Sequence, residues 1–233
     1  KGGGLMRTNI PSFRLPETVL DEEVERIVNF GVEQRFGHEV KSLKKVLDEG
    51  FDAVFVGTGA PKGKDLNVPG RKEAAANIHI GIDFLTSVAF GHIDKIGRRV
   101  IVIGGGNTAM DCCRTALRMG SEKVTVTVRS PRKVMKASDW EIKDALHEGI
   151  PILDNHAPKE FVIKNGKLAG VVFEKMIETG VDAKGRPQLK STGELVTIDC
   201  DDVLMAIGQE NAFNWIERDI GIEFGERDMP KVD

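Results

Sequence analysis

The chain has 233 residues, an apolar fraction of 40% and a formal net charge of −3. That suffices for the core of one large domain or two small ones, and so small a net charge gives no case for nucleic acid or an acidic membrane surface as a partner. No apolar run approaches the roughly 20 residues of a membrane span, and no signal-peptide pattern is present.

In chain order, the sequence opens Lys1-Gly2-Gly3-Gly4 and closes Met229-Pro230-Lys231-Val232-Asp233, which reads as a piece of a longer protein. Pro11 and Pro16 break regular structure, so the first stretch is expected to be an irregular loop. Thr18 is placed to cap a helix carrying Val19, Leu20, Val24, Ile27 and Val28 at helical spacing, ended by Gly31. Residues 32–36 are a short strand candidate. Ser42 suits the cap of a helix over 43–49, closed by Gly50. Residues 51–56, Phe-Asp-Ala-Val-Phe-Val, read as a buried strand turning at Gly57-Thr58-Gly59-Ala60. Residues 61–97 connect, with a turn at Val68-Pro69-Gly70 and a helix over 82–90.

The centre of the chain is the stretch 98–132. Val100-Ile101-Val102-Ile103 has the apolar, β-branched character of a strand buried on both faces of a parallel sheet. Gly104-Gly105-Gly106-Asn107-Thr108-Ala109 follows at once and fits G-x-G-x-x-A. Gly104 permits a tight turn, Gly106 lets a pyrophosphate approach the backbone, and Ala109 lets the helix pack close. The helix is expected to run to about Met119 and stop at Gly120. A second strand follows over 124–128. A glycine fingerprint between an apolar strand and a helix, with a further strand after it, is a dinucleotide-binding signature. The helix N-terminus favours an anion. An NAD site carries an acid at the end of the second strand. Here Arg129, Ser130 and Arg132 stand instead, donors suited to a ribose 2′-phosphate, so NADP is favoured over NAD.

Beyond Lys133 an irregular piece leads to a helix over 139–147 and a short strand over 150–153. Residues 160–164 and 168–176 around Asn165-Gly166 read as a hairpin. Further turns are expected at 183–187 and 191–193, strands at 195–199 and 202–207, and a short helix at 213–218. The three cysteines, Cys112, Cys113 and Cys200, form no C-x-x-C, so neither a zinc site nor a redox dithiol is indicated; they read as reduced thiols of a cytoplasmic protein. His38, His79, His92 and His156 lack metal-ligand spacing. Glu141 and His147 are acid–base candidates by type, but read as residues of a helix surface.

These pieces together resemble the small (beta) subunit family of NADPH-dependent glutamate synthase, a branch of the flavoprotein reductases with two dinucleotide-binding domains. The resemblance rests on Gly3-Gly4-Leu5 with Asn9-Ile10-Pro11-Ser12-Phe13-Arg14-Leu15-Pro16, then residues 53–60, 104–111, Arg129-Ser130-Pro131-Arg132, and Ala206-Ile207-Gly208-Gln209, in family order. It implies an α/β fold in which a Rossmann-like NADPH-binding domain, a parallel sheet plus a β-meander, is inserted in a partial FAD-binding domain. The implied divisions are 1–96 for partial FAD binding, 97–208 for NADPH binding, and 209–233 for the return segment.

Gly3, Gly4 and Leu5 would lie beside the flavin, and Thr58 and Gly59 near the FAD pyrophosphate and adenosine. Gly104, Gly105, Gly106, Asn107, Thr108 and Ala109 would carry the NADPH pyrophosphate, and Arg129, Ser130 and Arg132 the 2′-phosphate. Gly208 and Gln209 would mark the crossing between domains. The implied activity is hydride transfer from NADPH to FAD and onward to iron–sulfur clusters, with no catalytic side chain, since the cofactors carry the chemistry.

The implied partner is a glutamate synthase large subunit or another iron–sulfur acceptor. A paralogous electron-input subunit and a non-catalytic nucleotide-binding module are the alternatives. A thioredoxin-reductase-like protein is disfavoured by the missing C-x-x-C. The family's FAD fingerprint and the cysteines for [4Fe–4S] clusters are expected upstream of Lys1, so the FAD site is expected to be incomplete in this chain. Met135-Lys136-Ala137 stands where the family often has Met-Pro-Ala.

Overall fold

The computed structural model describes residues 2–183, 185–226 and 229–231; Lys1, Lys184 of the expected turn, and Val232-Asp233 lie outside them. The first third is helical: α1 (Gly4–Asn9), α2 (Glu17–Val28) and α3 (Leu43–Leu47). Then come β1 (Lys62–Gly63), β2 (Ile78–Ile80), α4 (Gly81–Ala89), β3 (Arg99–Ile103), α5 (Asn107–Arg118), β4 (Lys123–Thr127), α6 (Asp139–His147) and β5 (Ile152–Leu153). The long strands β6 (His156–Lys164), β7 (Lys167–Val181) and β8 (Pro187–Asp199) follow, and β9 (Asp202–Met205) and β10 (Gln209–Glu210) complete the set.

Five of these strands form one parallel sheet in the order β2-β9-β3-β4-β5. β6, β7 and β8 form a separate antiparallel meander. Strand β3 shows why three layers result. Successive side chains of a strand point to opposite faces. Val100 and Val102 pack with Phe84, Met110, Ala116 and Ile142 of the helices. Ile101 and Ile103 pack with Phe161, Val171 and Phe173 of the meander. Both faces are thus dry, and each of these side chains contributes about 1.5–3 kcal/mol through burial. The Rossmann-like sheet with its meander is the expected architecture. At the hairpin tip, Asn165 (φ 53°) and Gly166 (φ 73°) both take left-handed backbone, as a two-residue type I′ turn requires.

Several local expectations are corrected. Residues 4–9 form a helix, not a loop. It is held from outside: the Asn9 amide donates to Ile82 O at 2.8 Å, across α4. Helix α2 starts two residues earlier than a cap at Thr18 would set it, with Pro16 (φ −57°) leading in and Glu17 offsetting the dipole. Ser42 does cap α3, its hydroxyl accepting from the Lys45 N–H at 3.1 Å. Residues 32–36 and 51–56 form no strand. The latter pair with no other strand among the described residues, and Phe55 is 95% exposed, so β propensity alone has nothing to build on. Residues 213–218 make a turn rather than a helix. Strand β2, not expected, joins the sheet upstream of Gly97 because Ile78, His79 and Ile80 register with Val203, Leu204 and Met205.

Candidate functional site

The parallel strands β3, β4 and β9 all end at one edge of the sheet, and the glycine turn leaves β3 there. Gly104 is wedged between its neighbours. Its N–H donates to Thr127 O at 3.0 Å, its φ is 149°, and a Cβ there would stand 2.2 Å from Ala206 O. No other residue fits that position. Gly106 differs: its φ is ordinary, and a Cβ would meet nothing within 4 Å. Its lack of a side chain answers no packing need inside the chain and leaves open space at the helix N-terminus. Helix α5 begins at Asn107 with unspent amides in its first turn. Ala109 and Met110 are fully buried and seat the helix on the sheet.

A cleft of about 400 Å³ opens at this point. Among the expected site residues, Gly105, Gly106, Thr108, Ser130, Gly208 and Gln209 line it. Gly104 and Ala109 lie beneath it as packing elements. Asn107 serves the wall: its Oδ1 accepts from the Ser138 N–H at 2.8 Å. Arg129 and Arg132 stand exposed on the loop after β4, flanking Ser130. That loop is anchored by Asp154, whose Oδ2 accepts from the Arg132 N–H at 2.8 Å. No ion pair engages either guanidinium among the described residues, so both are available to an anion.

The cleft has members to which the sequence assigned no site role. Lys136 and Ala137 donate backbone N–H groups to Gly105 O at 2.9 and 3.0 Å, folding the 132–138 loop over the glycine turn. This brings Met135 and Lys136 into the cleft, opposite Ile82 and Ile207. The sequence signal was Met135-Lys136-Ala137 standing where the resembling family often has Met-Pro-Ala. The floor at Gly208 is set by a crossing of two chain segments: β1 pairs antiparallel with β10, and the Lys64 N–H donates to Gly208 O at 3.0 Å.

The residues expected beside a flavin sit apart from this cleft. A Cβ at Gly59 would stand 3.3 Å from Leu5 Cδ1, so Leu5 and Gly59 are brought together. Gly4, Leu5, Thr58 and Gly59 are all exposed and make an open patch rather than an enclosed site. The residues present therefore fit the NADP pyrophosphate well and FAD along one wall only.

Behind α5 lies a buried charged cluster. Arg14 spans Asp111 (Nη1 to Oδ1 and Oδ2, 2.7 and 2.8 Å) and Glu141 (Nη2 to Oε1, 2.6 Å). Arg114 holds the other Glu141 oxygen at 3.0 Å and reaches Glu148 at 3.0 Å. Asp111 is 4% exposed and Glu141 3%. Glu141 is therefore no helix-surface residue, as the sequence suggested, but a buried ion-pair partner, whereas His147 is exposed. Burial pushes the Asp111 carboxyl up to about 6 despite Arg14. Burial likewise pushes the Cys113 and Cys200 thiols up to about 12 and Cys112 well above its usual value, so none is primed for redox chemistry. Among the described residues, no group of three or more His, Cys, Asp or Glu is placed to hold a metal, and no helix is long and apolar enough to cross a membrane.

A parallel sheet with a glycine turn at its carboxyl edge, an open helix N-terminus and a basic loop beside it defines a dinucleotide-binding α/β protein. The chain belongs to the pyridine nucleotide-disulphide oxidoreductase family, whose model matches residues 10–233. It is similar to the NADPH-Fe(3+) oxidoreductase subunit beta of Geobacter sulfurreducens, 35% identical over 229 residues, 95% of this chain and 34% of that protein. It is also similar to the glutamate synthase [NADPH] small chain of Halomonas elongata, 33% identical over 246 residues, 99% of this chain and 51% of that one. The chain thus spans about a third to a half of these relatives. Among solved structures, Mycobacterium tuberculosis FprA in complex with NADPH has the same fold, with a TM-score of 0.76 at 17% identity over 98% of this chain and 66% of that one.

Proposed function

We propose that this chain is the NADPH-holding part of a flavoprotein oxidoreductase. When bound, the nicotinamide and the flavin supply the hydride chemistry. The chain's own residues bind and orient. The first-turn amides of α5 receive the pyrophosphate over the bare Gly106, Ser130 with Arg129 and Arg132 receives the 2′-phosphate, and Lys136 adds a charge on the cleft wall. The observation that carries this reading is the open space at Gly106, where the protein itself does not need a glycine. In this reading residues 97–208, with β2 and α4 joined to their sheet, are the NADPH domain. Residues 1–96 and 209–233 belong to a FAD-binding domain, with Gly3, Gly4, Leu5, Thr58 and Gly59 along the flavin. The electrons pass on to iron–sulfur clusters, either toward a glutamate synthase large subunit or toward another acceptor. The relatives named as a small chain and as a subunit beta support a multi-subunit setting.

The test is the double variant Arg129→Ala with Arg132→Ala in the intact protein. Exposed charge-assisted bonds to a phosphate contribute about 1.5–3 kcal/mol, so NADPH affinity falls by roughly 10–150-fold while NADH binding barely changes. Equal losses for both nucleotides would refute the assignment of these arginines. A wild-type intact protein whose flavin is not bleached by NADPH would refute the function.

A further inference from the structure

The segment 9–14 touches the nucleotide-binding elements at three separate points. Asn9 donates to Ile82 O at 2.8 Å, and Ile82 lines the cleft. The Phe13 ring lies under the guanidinium groups of Arg114 and Arg118, at 4.9 and 4.0 Å from its centroid. Arg14 bridges Asp111 on α5 to Glu141 on α6. Asp111 lies four residues past Asn107, about one helical turn from the end that faces the cleft. At its other end the same segment begins as α1, whose Leu5 meets Gly59. A short helix thus connects the proposed flavin wall to the helix proposed to hold the pyrophosphate. A loop docked only for stability would be served by apolar contacts. Here a guanidinium engaged through both terminal nitrogens is placed between two acids at 4% and 3% exposure, an arrangement that defines position more than it adds stability.

We infer that Arg14 is a positioning residue: by clamping Asp111 and Glu141 it sets α5, and the nucleotide held at its N-terminus, at a defined distance and tilt from the flavin wall on α1. This rests on the proposed function in one respect, the presence of flavin at Leu5 and Gly59. The clamp itself stands on the contacts. Its consequence is a separation of effects. Arg14 touches neither cleft nor nucleotide, so binding does not need it, whereas hydride transfer is sensitive to misplacement of about an ångström.

The experiment compares wild type, Arg14→Gln and Arg14→Lys in the intact holoprotein. Stopped-flow bleaching of the flavin at saturating NADPH reads transfer, equilibrium titration reads NADPH affinity, and amide hydrogen exchange reads residues 10–16, where the Arg14 and Leu15 N–H groups bond Pro11 O at 2.9 and 3.0 Å. Arg14→Gln is expected to slow bleaching about tenfold or more with affinity changed less than about threefold, and to speed exchange across 10–16. Arg14→Lys keeps the charge but cannot fork onto both carboxylates, so its bleaching rate falls between the two. It carries the same comparison if the glutamine variant does not fold. Unchanged bleaching, or losses of affinity and rate in proportion, would overturn the inference. Unchanged exchange across 10–16 would overturn the clamp without reference to flavin chemistry. Failure of the wild type to bleach bears on the proposed function instead.

Discussion

Gly104 and Gly106 stand two residues apart in the same turn, yet alanine should affect them in different ways. At Gly104 the added Cβ would stand 2.2 Å from Ala206 O and 2.7 Å from its carbonyl carbon. The obstacle is backbone, held in place because the Ala206 N–H itself donates to Ile103 O at 2.8 Å. The φ of 149° adds strain for any L side chain. Overpacking of this kind costs about 1–3 kcal/mol and the unfavourable φ about as much again. A total of about 2–6 kcal/mol in a chain of this size lowers Tm by roughly 4–24 °C. At Gly106 the φ is −104° and the Cβ meets nothing, so Gly106→Ala should melt within about 2 °C of wild type. Its cost falls on the ligand. The methyl group occupies the space over the α5 amides, and NADPH affinity should drop by about 1–3 kcal/mol, roughly 5–150-fold. Thermal melts with and without NADPH, together with a titration, separate the two variants. If Gly106→Ala binds NADPH as the wild type does, that space is not the pyrophosphate cradle. If Gly104→Ala melts as the wild type does, the close approach to Ala206 does not constrain the turn.

Two further outcomes are expected. The Asp111 carboxyl, facing Arg14, Glu141 and Arg114, sits at about 6 in the folded state against an ordinary 3.8. The folded state therefore favours its protonated form, and the stability this contributes is full below about pH 3.8 and lost as pH rises through about 6. The Tm of Asp111→Asn relative to wild type should rise between pH 4 and 7, about the window those two values define; a flat or falling difference would mean that pairing with Arg14 outweighs burial. Phe173 is fully buried between the meander and the parallel sheet, so Phe173→Ala should cost about 3–5 kcal/mol in urea unfolding; a loss below about 1 kcal/mol would show that the two layers are not joined there.

The arrangement of charges behind α5 also bears on how this family member balances stability and function. Asp111 and Glu141 are acids buried at a cost, and apolar residues of like size would hold two helices at least as well. A defined position for α5, at some cost to stability, is what the clamp at Arg14 supplies.

Residues 98–128 were legible because their information is local. A β-branched run, three glycines and an amphipathic helix follow without interruption, and their backbone demands do not depend on distant residues. The same holds for the Asn165-Gly166 turn and for α6, found over the residues expected. Residues 51–56 failed for the opposite reason: a strand exists only with a partner, and Phe55 has none among the described residues. Strand β2 was missed because only its register against β9 makes it one. Lys136 stood out only as a departure from the family's Met-Pro-Ala, and its place in the cleft depends on its backbone N–H reaching Gly105 O; Glu141 read as a surface residue because Arg14, which lies between it and Asp111, is more than a hundred positions away.

The sequence alone determined that a glycine turn leaves an apolar strand and that a basic strand end follows it, since turn geometry and charge are carried by adjacent residues. Only the tertiary structure decided which glycine is wedged against the protein and which has open space beside it, and which side chains meet behind the helix. Both are matters of distance between segments far apart in the chain, and such distances exist only once the sheet has brought them together.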